Sequence, residues 1–222
     1  MLILSFDTAT KALSIALTEN GQLIDKIESF SEKTHSERLM PAIDEILKRN
    51  EITFSAIDLI AVGNGPGSYT GIRIALSTAL GLVHSTSTPL ITVSTLQAMT
   101  SEDNVLEFSL LDARGGRLFV GGYMGDDSVF DDQQTTADVL ATTIHKDFSD
   151  RKIRLLGNGA PILAPLLDIV DLEVSEERWP DAFRLALLAE RKYEARGQGM
   201  DLTSARPFYA APTQAERMAK DK

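Results

Sequence analysis

Cysteine is missing from all 222 residues, which excludes disulfides, thiolate-bound zinc and thiol nucleophiles. Cations are few beside anions: 22 Lys and Arg stand against 32 Asp and Glu, a formal net charge of −10. Phosphate neutralisation needs clustered Lys and Arg, so an RNA substrate is expected to be held mainly by a partner. No apolar run approaches the ~20 residues of a membrane helix. The first apolar run breaks at Asp7 with no basic leader, so neither a signal peptide nor a membrane contact is expected, and the cytoplasm is the expected compartment. The three histidines, His35, His84 and His145, lie far apart with no His-x-x-x-His pair, which removes a zincin-type helical metal site. There is no Gly-x-Ser-x-Gly elbow for a serine hydrolase.

What remains is ordinary in composition, 43% apolar and 24% charged, and long enough for one large domain or two of about 100 residues. The chain is organised around Leu59–Val83. There a short apolar strand enters the turn Gly63-Asn-Gly-Pro-Gly67, and a helix starts near Ser68 or Thr70. Helix starts offer unpaired N–H groups that suit phosphate or carboxylate. The turn nevertheless fails two stringent patterns. No Lys lies between Gly63 and Arg73, as a P-loop requires. Read from Gly63 or Gly65, the third glycine of a dinucleotide fingerprint is replaced by Ser68 or Thr70. A tight strand-to-helix turn and an anion cradle both stay open.

Residues 2–30 read as a three-strand meander with Asn20-Gly21 as its hairpin turn. Lys33–Lys48 reads as a helix with a Thr34/Glu37 capping box, followed by the strand Ile57–Val62, the helix after the glycine turn, the strand Pro89–Val93 and a helix from Ser94 to Thr100. Near residue 104 the pattern restarts. Strands at Val105–Asp112, Arg117–Tyr123 and Ser128–Gln134 precede a helix at Thr136–Phe148 and a strand at Lys152–Leu156, which runs into a second Gly-Asn-Gly at Gly157. Phe183–Arg196 reads as an amphipathic helix, and Thr213 with Glu216 as a capping box near the end of the sequence. This is a duplicated unit with a period of about 100 residues, too long for a solenoid. The expected division is 1–103, 104–205 and a tail at 206–222 packing back on the first domain.

Asp7 and Asp112 each end a strand at equivalent places in the repeat. In duplicated nucleotide-binding folds two such carboxylates hold metal-bound phosphates, whereas in most turns an Asp simply caps. Thr8, Ser68 and Thr70 complete the weak candidate set for a nucleotide. The apolar faces of the first two helices suit close helix packing, inside the domain or against a second subunit.

Several segments together resemble the TsaB family of the bacterial machinery that makes threonylcarbamoyladenosine in tRNA. They are Leu-Ser-Phe-Asp7-Thr-Ala-Thr, His35-Ser-Glu-Arg-Leu-Met-Pro, Gly63 to Arg73, Pro89 to Ala98, Leu-Asp112-Ala-Arg114 and Pro207-Phe-Tyr209 with Ala215-Glu216. The resemblance implies an α/β duplicated actin-like ATPase (ribonuclease H-like) fold. It also implies a scaffold without an active site of its own, pairing with TsaD, joined by TsaE, and reaching tRNA through that complex. Where TsaD enzymes carry Val-Asn-His-Leu-Glu-Ala-His, with two metal-binding histidines, this chain reads Val93-Ser-Thr95-Leu-Gln-Ala-Met99. Thr and Met do not replace two imidazoles on such a metal. ATP, Mg and metal are therefore expected on the complex and on TsaD, with no cofactor on this chain. The implied partner surface is His35, Leu39, Met40 and Ile43 on the first helix with Tyr69, Ile72, Arg73, Ala75, Leu76 and Ala79 on the second, and the same faces would serve a homodimer. An actin-like ATPase or kinase-type phosphotransferase using Asp7 and Asp112 is the alternative, and a glycoprotease-like peptidase a remote one.

Overall fold

In a computed structural model describing residues 1–30, 34–175 and 178–210, the chain opens with β1 (Leu2–Asp7), β2 (Leu13–Glu19) and β3 (Gln22–Ser29). Asn20 and Gly21 both take positive φ between β2 and β3, the geometry of a two-residue hairpin turn. Helix α1 (His35–Arg49) follows, closed at its start by the Thr34/Glu37 capping box. Lys33, where the sequence places the helix start, lies outside the described residues. Then come β4 (Leu59–Gly63), α2 (Tyr69–Thr86) and β5 (Leu90–Val93). The sheet order is β3-β2-β1-β4-β5, with β1, β4 and β5 parallel.

The second half repeats that plan. Strands β6 (Leu106–Asp112), β7 (Arg117–Met124) and β8 (Asp127–Thr136) form the meander, followed by α3 (Ala137–Asp147), β9 (Ile153–Leu156), the single-turn α4 (Ala160–Leu163) and β10 (Leu172–Ser175). The order β8-β7-β6-β9-β10 matches the first sheet strand for strand, again with the last three parallel. Sequence pattern misses β10, which is only four residues long. It also overstates the helix from Ser94. There the Ser94 hydroxyl accepts from the N–H groups of Leu96 and Gln97, and only one turn forms, Gln97–Met99.

Helix α5 (Ala182–Arg196) corrects the expected division of the chain. One compact unit comprises residues 1–98 with 179–207, the other 99–178 with the segment from 208. The 104–205 domain thus loses its last helix to the first unit. The reason is burial: Leu185, Ala186, Leu188 and Ala189 of α5 pack against Ile3, Leu59, Ala61 and Ile91. Alternation along β1 explains how one sheet serves two layers. Leu4 and Phe6 face the core formed with α1 and α2, while Ile3 faces α5. Buried serines dock the start of α5. Ser5 donates to the Ala182 carbonyl at 2.7 Å, and the Ala182 N–H donates to Ser14 at 2.9 Å. The second unit has its own core of Phe108, Leu110, Leu118, Val120, Leu140 and Ile144. Of the expected tail, 206–207 fall in the first unit and 208–210 in the second. Thr213 and Glu216 lie outside the described residues.

Candidate functional site

Asp7 ends β1 only 1% exposed. Its carboxylate accepts from the Ala9 N–H and from the Thr95 hydroxyl, each at 2.7 Å. Thr95 in turn accepts from the Gly65 N–H at 3.1 Å. Burial raises the Asp7 carboxyl above its ordinary range, outweighing the Thr95 and Ala9 hydrogen bonds and the charge of His35, which all pull it down. This aspartate is tied to the loops around it.

The glycine turn is filled from inside. A side chain at Gly63 would place its Cβ 1.7 Å from Asp7 Oδ2, and one at Gly71 would come within 1.9 Å of the Thr8 carbonyl oxygen. Thr8 is buried and donates to the Gly71 carbonyl at 2.7 Å. The Ser68 N–H donates to the Ala9 carbonyl at 2.6 Å, while its hydroxyl caps α2 by accepting from Gly71 N–H at 3.3 Å. The space beside Gly63 and Gly71 holds Asp7 and Thr8 of the same chain, and Gly67 abuts Ala9, while Thr70 in the first turn of α2 is exposed.

Asp112 occupies the matching strand end of the other unit, exposed and closing its own turn. It accepts from the Arg114 N–H at 2.7 Å, and its N–H donates to Asn158 at 3.1 Å. Elsewhere in that unit Arg154 joins Glu107, Glu173 and Asp103 at 2.7, 2.9 and 3.0 Å. These carboxylates, Glu173 first, push the guanidinium pKa up. They border a cleft of about 540 Å³ that also touches Ser101, Leu156 and Arg178. Pattern reading passed over this cluster. Its one local signal is Glu107, the single charge within the apolar run Val105–Leu111.

The expected partner surface needs correction. Leu39, Ile43, Ile72, Ala75, Leu76 and Ala79 are buried in the first unit's own core. A 3.6-residue apolar stripe marks the face a helix hides, and here it is hidden against the sheet and the other helix. Met40 is 46% and Tyr69 43% exposed. Arg73 is exposed and lies with its guanidinium 3.9 Å from the Tyr69 ring centroid. His35 is half-buried, its Nε2–H donating to the Thr10 carbonyl at 2.7 Å.

Two copies of a β-meander, helix and parallel-strand unit define the duplicated α/β fold of actin-like ATPases, of ribonuclease H-like type. The chain is similar in structure to YeaZ from Pseudomonas aeruginosa, with a TM-score of 0.81 and 24% identity over 94% of this chain and 99% of that one. By sequence it belongs to the family described as TsaD: tRNA N6-adenosine threonylcarbamoyltransferase, whose model matches residues 28–152. Among its relatives is the tRNA threonylcarbamoyladenosine biosynthesis protein TsaB of Escherichia coli K12, 32% identical over 66% of this chain and 65% of that protein. The TsaB of Haemophilus influenzae Rd is 38% identical over 45% of this chain and 42% of that protein. These matches thus span less than two thirds of either relative's length.

Proposed function

We propose that the chain is a non-catalytic, activating subunit in tRNA threonylcarbamoyladenosine formation. In this reading it pairs with TsaD, is joined by TsaE, and supports transfer of threonylcarbamoyl from threonylcarbamoyl-AMP to N6 of the adenosine 3′ to the anticodon. The observation that carries it is the hydrogen bond from Thr95 to Asp7. Thr95 stands where TsaD-type sequences have the first metal-binding histidine, and its hydroxyl is spent inside the fold. Met99 stands at the second histidine position and is fully buried, its methyl packed where a Gly157 side chain would go. A hydroxyl and a thioether so engaged do not serve a hard or borderline metal.

The filled glycine turn supports the same reading for nucleotide: ATP and Mg belong to the partners. An ATPase or phosphotransferase reading needs Asp7 and Asp112 facing phosphates, yet both accept from backbone N–H groups of their own loops. The outward residues of α1 and α2, Met40, Tyr69 and Arg73, are the contact surface for TsaD, or for a second copy in its absence. The compartment is the cytoplasm, where tRNA is modified.

The test is reconstitution with purified TsaD, TsaE, tRNA and threonylcarbamoyl-AMP. Modification is expected only when this chain is present. Modification without it, or sustained ATP turnover by this chain alone, overturns the proposal.

A further inference from the structure

His145 lies half-buried in the last turn of α3, and both of its ring nitrogens have main-chain partners. Nδ1 is 2.9 Å from the Ala141 carbonyl, one turn back on the helix. Nε2 is 3.1 Å from the N–H of Asp168, in the connection between the turn Ala164–Leu166 and β10. Neither partner can exchange roles, because a carbonyl only accepts and a main-chain N–H only donates. These partners assign the proton to Nδ1, and Nε2 offers its lone pair to Asp168. The ring is the neutral Nδ1–H form, held at both ends.

A proton on Nε2 removes that lone pair and sets two N–H groups against each other, so the bond to Asp168 exists only while the ring is neutral. Histidine is the side chain whose charge ordinarily changes between pH 5 and 8. The groups around the ring offer the charged form a different partner. On α3 itself, Lys146 and Asp147 pair with each other at 4.0 Å, and Asp138 lies two turns back in the first turn. Asp150 and Arg151 follow the helix, and Asp127, Asp131 and Asp132 belong to β8, the strand that enters its other end. Helix α4 and the turn Ala164–Leu166 carry no ionisable side chain. The connection carries Asp168 and Asp171, both exposed. Asp168 thus meets the ring with its N–H in one state and has a carboxylate to offer in the other. The carbonyls at a helix C-terminus also favour a cation there.

We propose that His145 and Asp168 form a proton-operated clasp that sets the position of residues 168–171. With the ring neutral, Nε2 accepts from the main chain of Asp168. When a proton from solvent adds at Nε2, the main-chain N–H leaves and the imidazolium donates from Nε2 to the Asp168 carboxylate. Residue 168 turns over while Leu167 and Ile169 stay packed on the second unit's core. The movement reaches the sheet at Asp171, whose carbonyl accepts from the Ile153 N–H at 3.0 Å. Two residues later β10 places Glu173 on Arg154 at 2.9 Å, so the clasp links proton uptake to the rim of the cleft. It stands independently of the subunit reading.

Nitrogen-15 spectra of the histidine rings in the full chain, recorded from pH 5 to pH 8, read the tautomer directly. At the alkaline end His145 should show a protonated Nδ1 and an unprotonated Nε2. As the ring charges, the Asp168 amide should lose roughly fivefold in hydrogen-exchange protection, corrected for the intrinsic rate, because its acceptor is gone. The amide signals of residues 169–171 should move with the same midpoint. His145→Gln, whose side-chain oxygen accepts at every pH, should abolish that titration. Asp168→Ala keeps the main-chain N–H, so it should preserve the alkaline tautomer and change the acid-state signals of residues 169–171. Three results overturn the clasp: a protonated Nε2 at the alkaline end, Asp168 protection that does not follow the His145 titration, or the same titration in His145→Gln. Unchanged acid-state signals in Asp168→Ala overturn the exchange of N–H for carboxylate. The tautomer and the protection are read on the parent chain, so they decide even where a variant fails to fold.

Discussion

Thr95 and Asp7, 88 residues apart in sequence, meet in a 2.7 Å hydrogen bond that closes the strand ends of the first unit. The pair joins the end of β1 to the loop after β5, and Thr95 in turn accepts from the Gly65 N–H. Because burial raises the Asp7 carboxyl above its ordinary 3.8, the folded chain takes up that proton more readily than the unfolded chain. The resulting contribution to stability is complete below the ordinary value and is lost as pH rises through the folded-state value. Asp7→Asn, which carries no charge at any pH, should therefore gain on the parent as pH rises. Urea unfolding of both proteins between pH 4 and pH 8 measures this, and a pH-independent difference refutes it. Thr95→Val, which strips a donor from a buried carboxylate, should cost about 1–3 kcal/mol at neutral pH.

Two glycines of α2 should respond to alanine with opposite signs. At Gly71 the new methyl would lie 1.9 Å from the Thr8 carbonyl oxygen, so Gly71→Ala should cost at least about 3 kcal/mol through forced separation of β1's loop from the helix. At Gly81, exposed and mid-helix, nothing lies within 4 Å of the added carbon. There alanine lowers the backbone entropy of the unfolded chain and should stabilise by about 0.5–1 kcal/mol. Chemical denaturation of the two variants decides. A loss at Gly81 would mean that its environment is not open in solution.

This contrast also shows where sequence reading works. The hairpin at Asn20-Gly21, the Thr34/Glu37 capping box and the start of α2 at Ser68 are local devices, written within four residues, and each stands as read. The duplication is legible because both halves repeat the same local order of strand, Asp, turn and meander. Glycine, by contrast, says only that something comes close. The sequence around Gly63 and Gly71 is the same whether a phosphate or the chain's own Asp7 and Thr8 fills the space. Helix periodicity likewise identifies a buried face without its covering, which is why Ala75 and Ile43 read as partner contacts and lie in the core. The return of α5 to the first sheet depends on Ile3, Leu59 and Ile91, over 90 residues before it, and no local pattern carries that information.

The Arg154 cluster should be the electrostatic weak point of the second unit. Glu107's side chain is only 2% exposed and accepts from Arg154 as well as from the N–H and hydroxyl of Ser101. Arg154→Met leaves that carboxylate buried without its cation, at a cost of about 3 kcal/mol, the lower end for a buried pair because Arg154 itself keeps some solvent contact. Lys152→Met removes only an outer partner of Glu173, where both side chains are over 40% exposed, and should change stability far less. Lys152 and Arg154 hold the Glu173 carboxyl below its ordinary range, and Arg154 does the same for Asp103. Their contribution is present above the ordinary carboxylate range and is lost as pH falls. The gap between parent and Arg154→Met should narrow in acid. Equal effects of the two substitutions in urea titrations would refute the assignment.

The outer face of α1 and α2 gives the sharpest test of the proposed pairing with TsaD. Met40, Tyr69 and Arg73 project from the helices whose inner faces are already spent on the core. Interface energy concentrates on exposed large apolar, aromatic and Arg side chains that become desolvated on contact. Met40→Asp combined with Arg73→Glu should therefore weaken association with TsaD on the order of tenfold or more, while unfolding midpoints stay within about 0.5 kcal/mol of the parent, as for ordinary surface substitutions. Ala75→Arg, at a fully buried position, should abolish pairing only by unfolding the first unit. The two routes separate cleanly when calorimetric titration of the complex is read beside circular dichroism of the free chain. Normal pairing by the folded double variant would move the interface off these helices altogether.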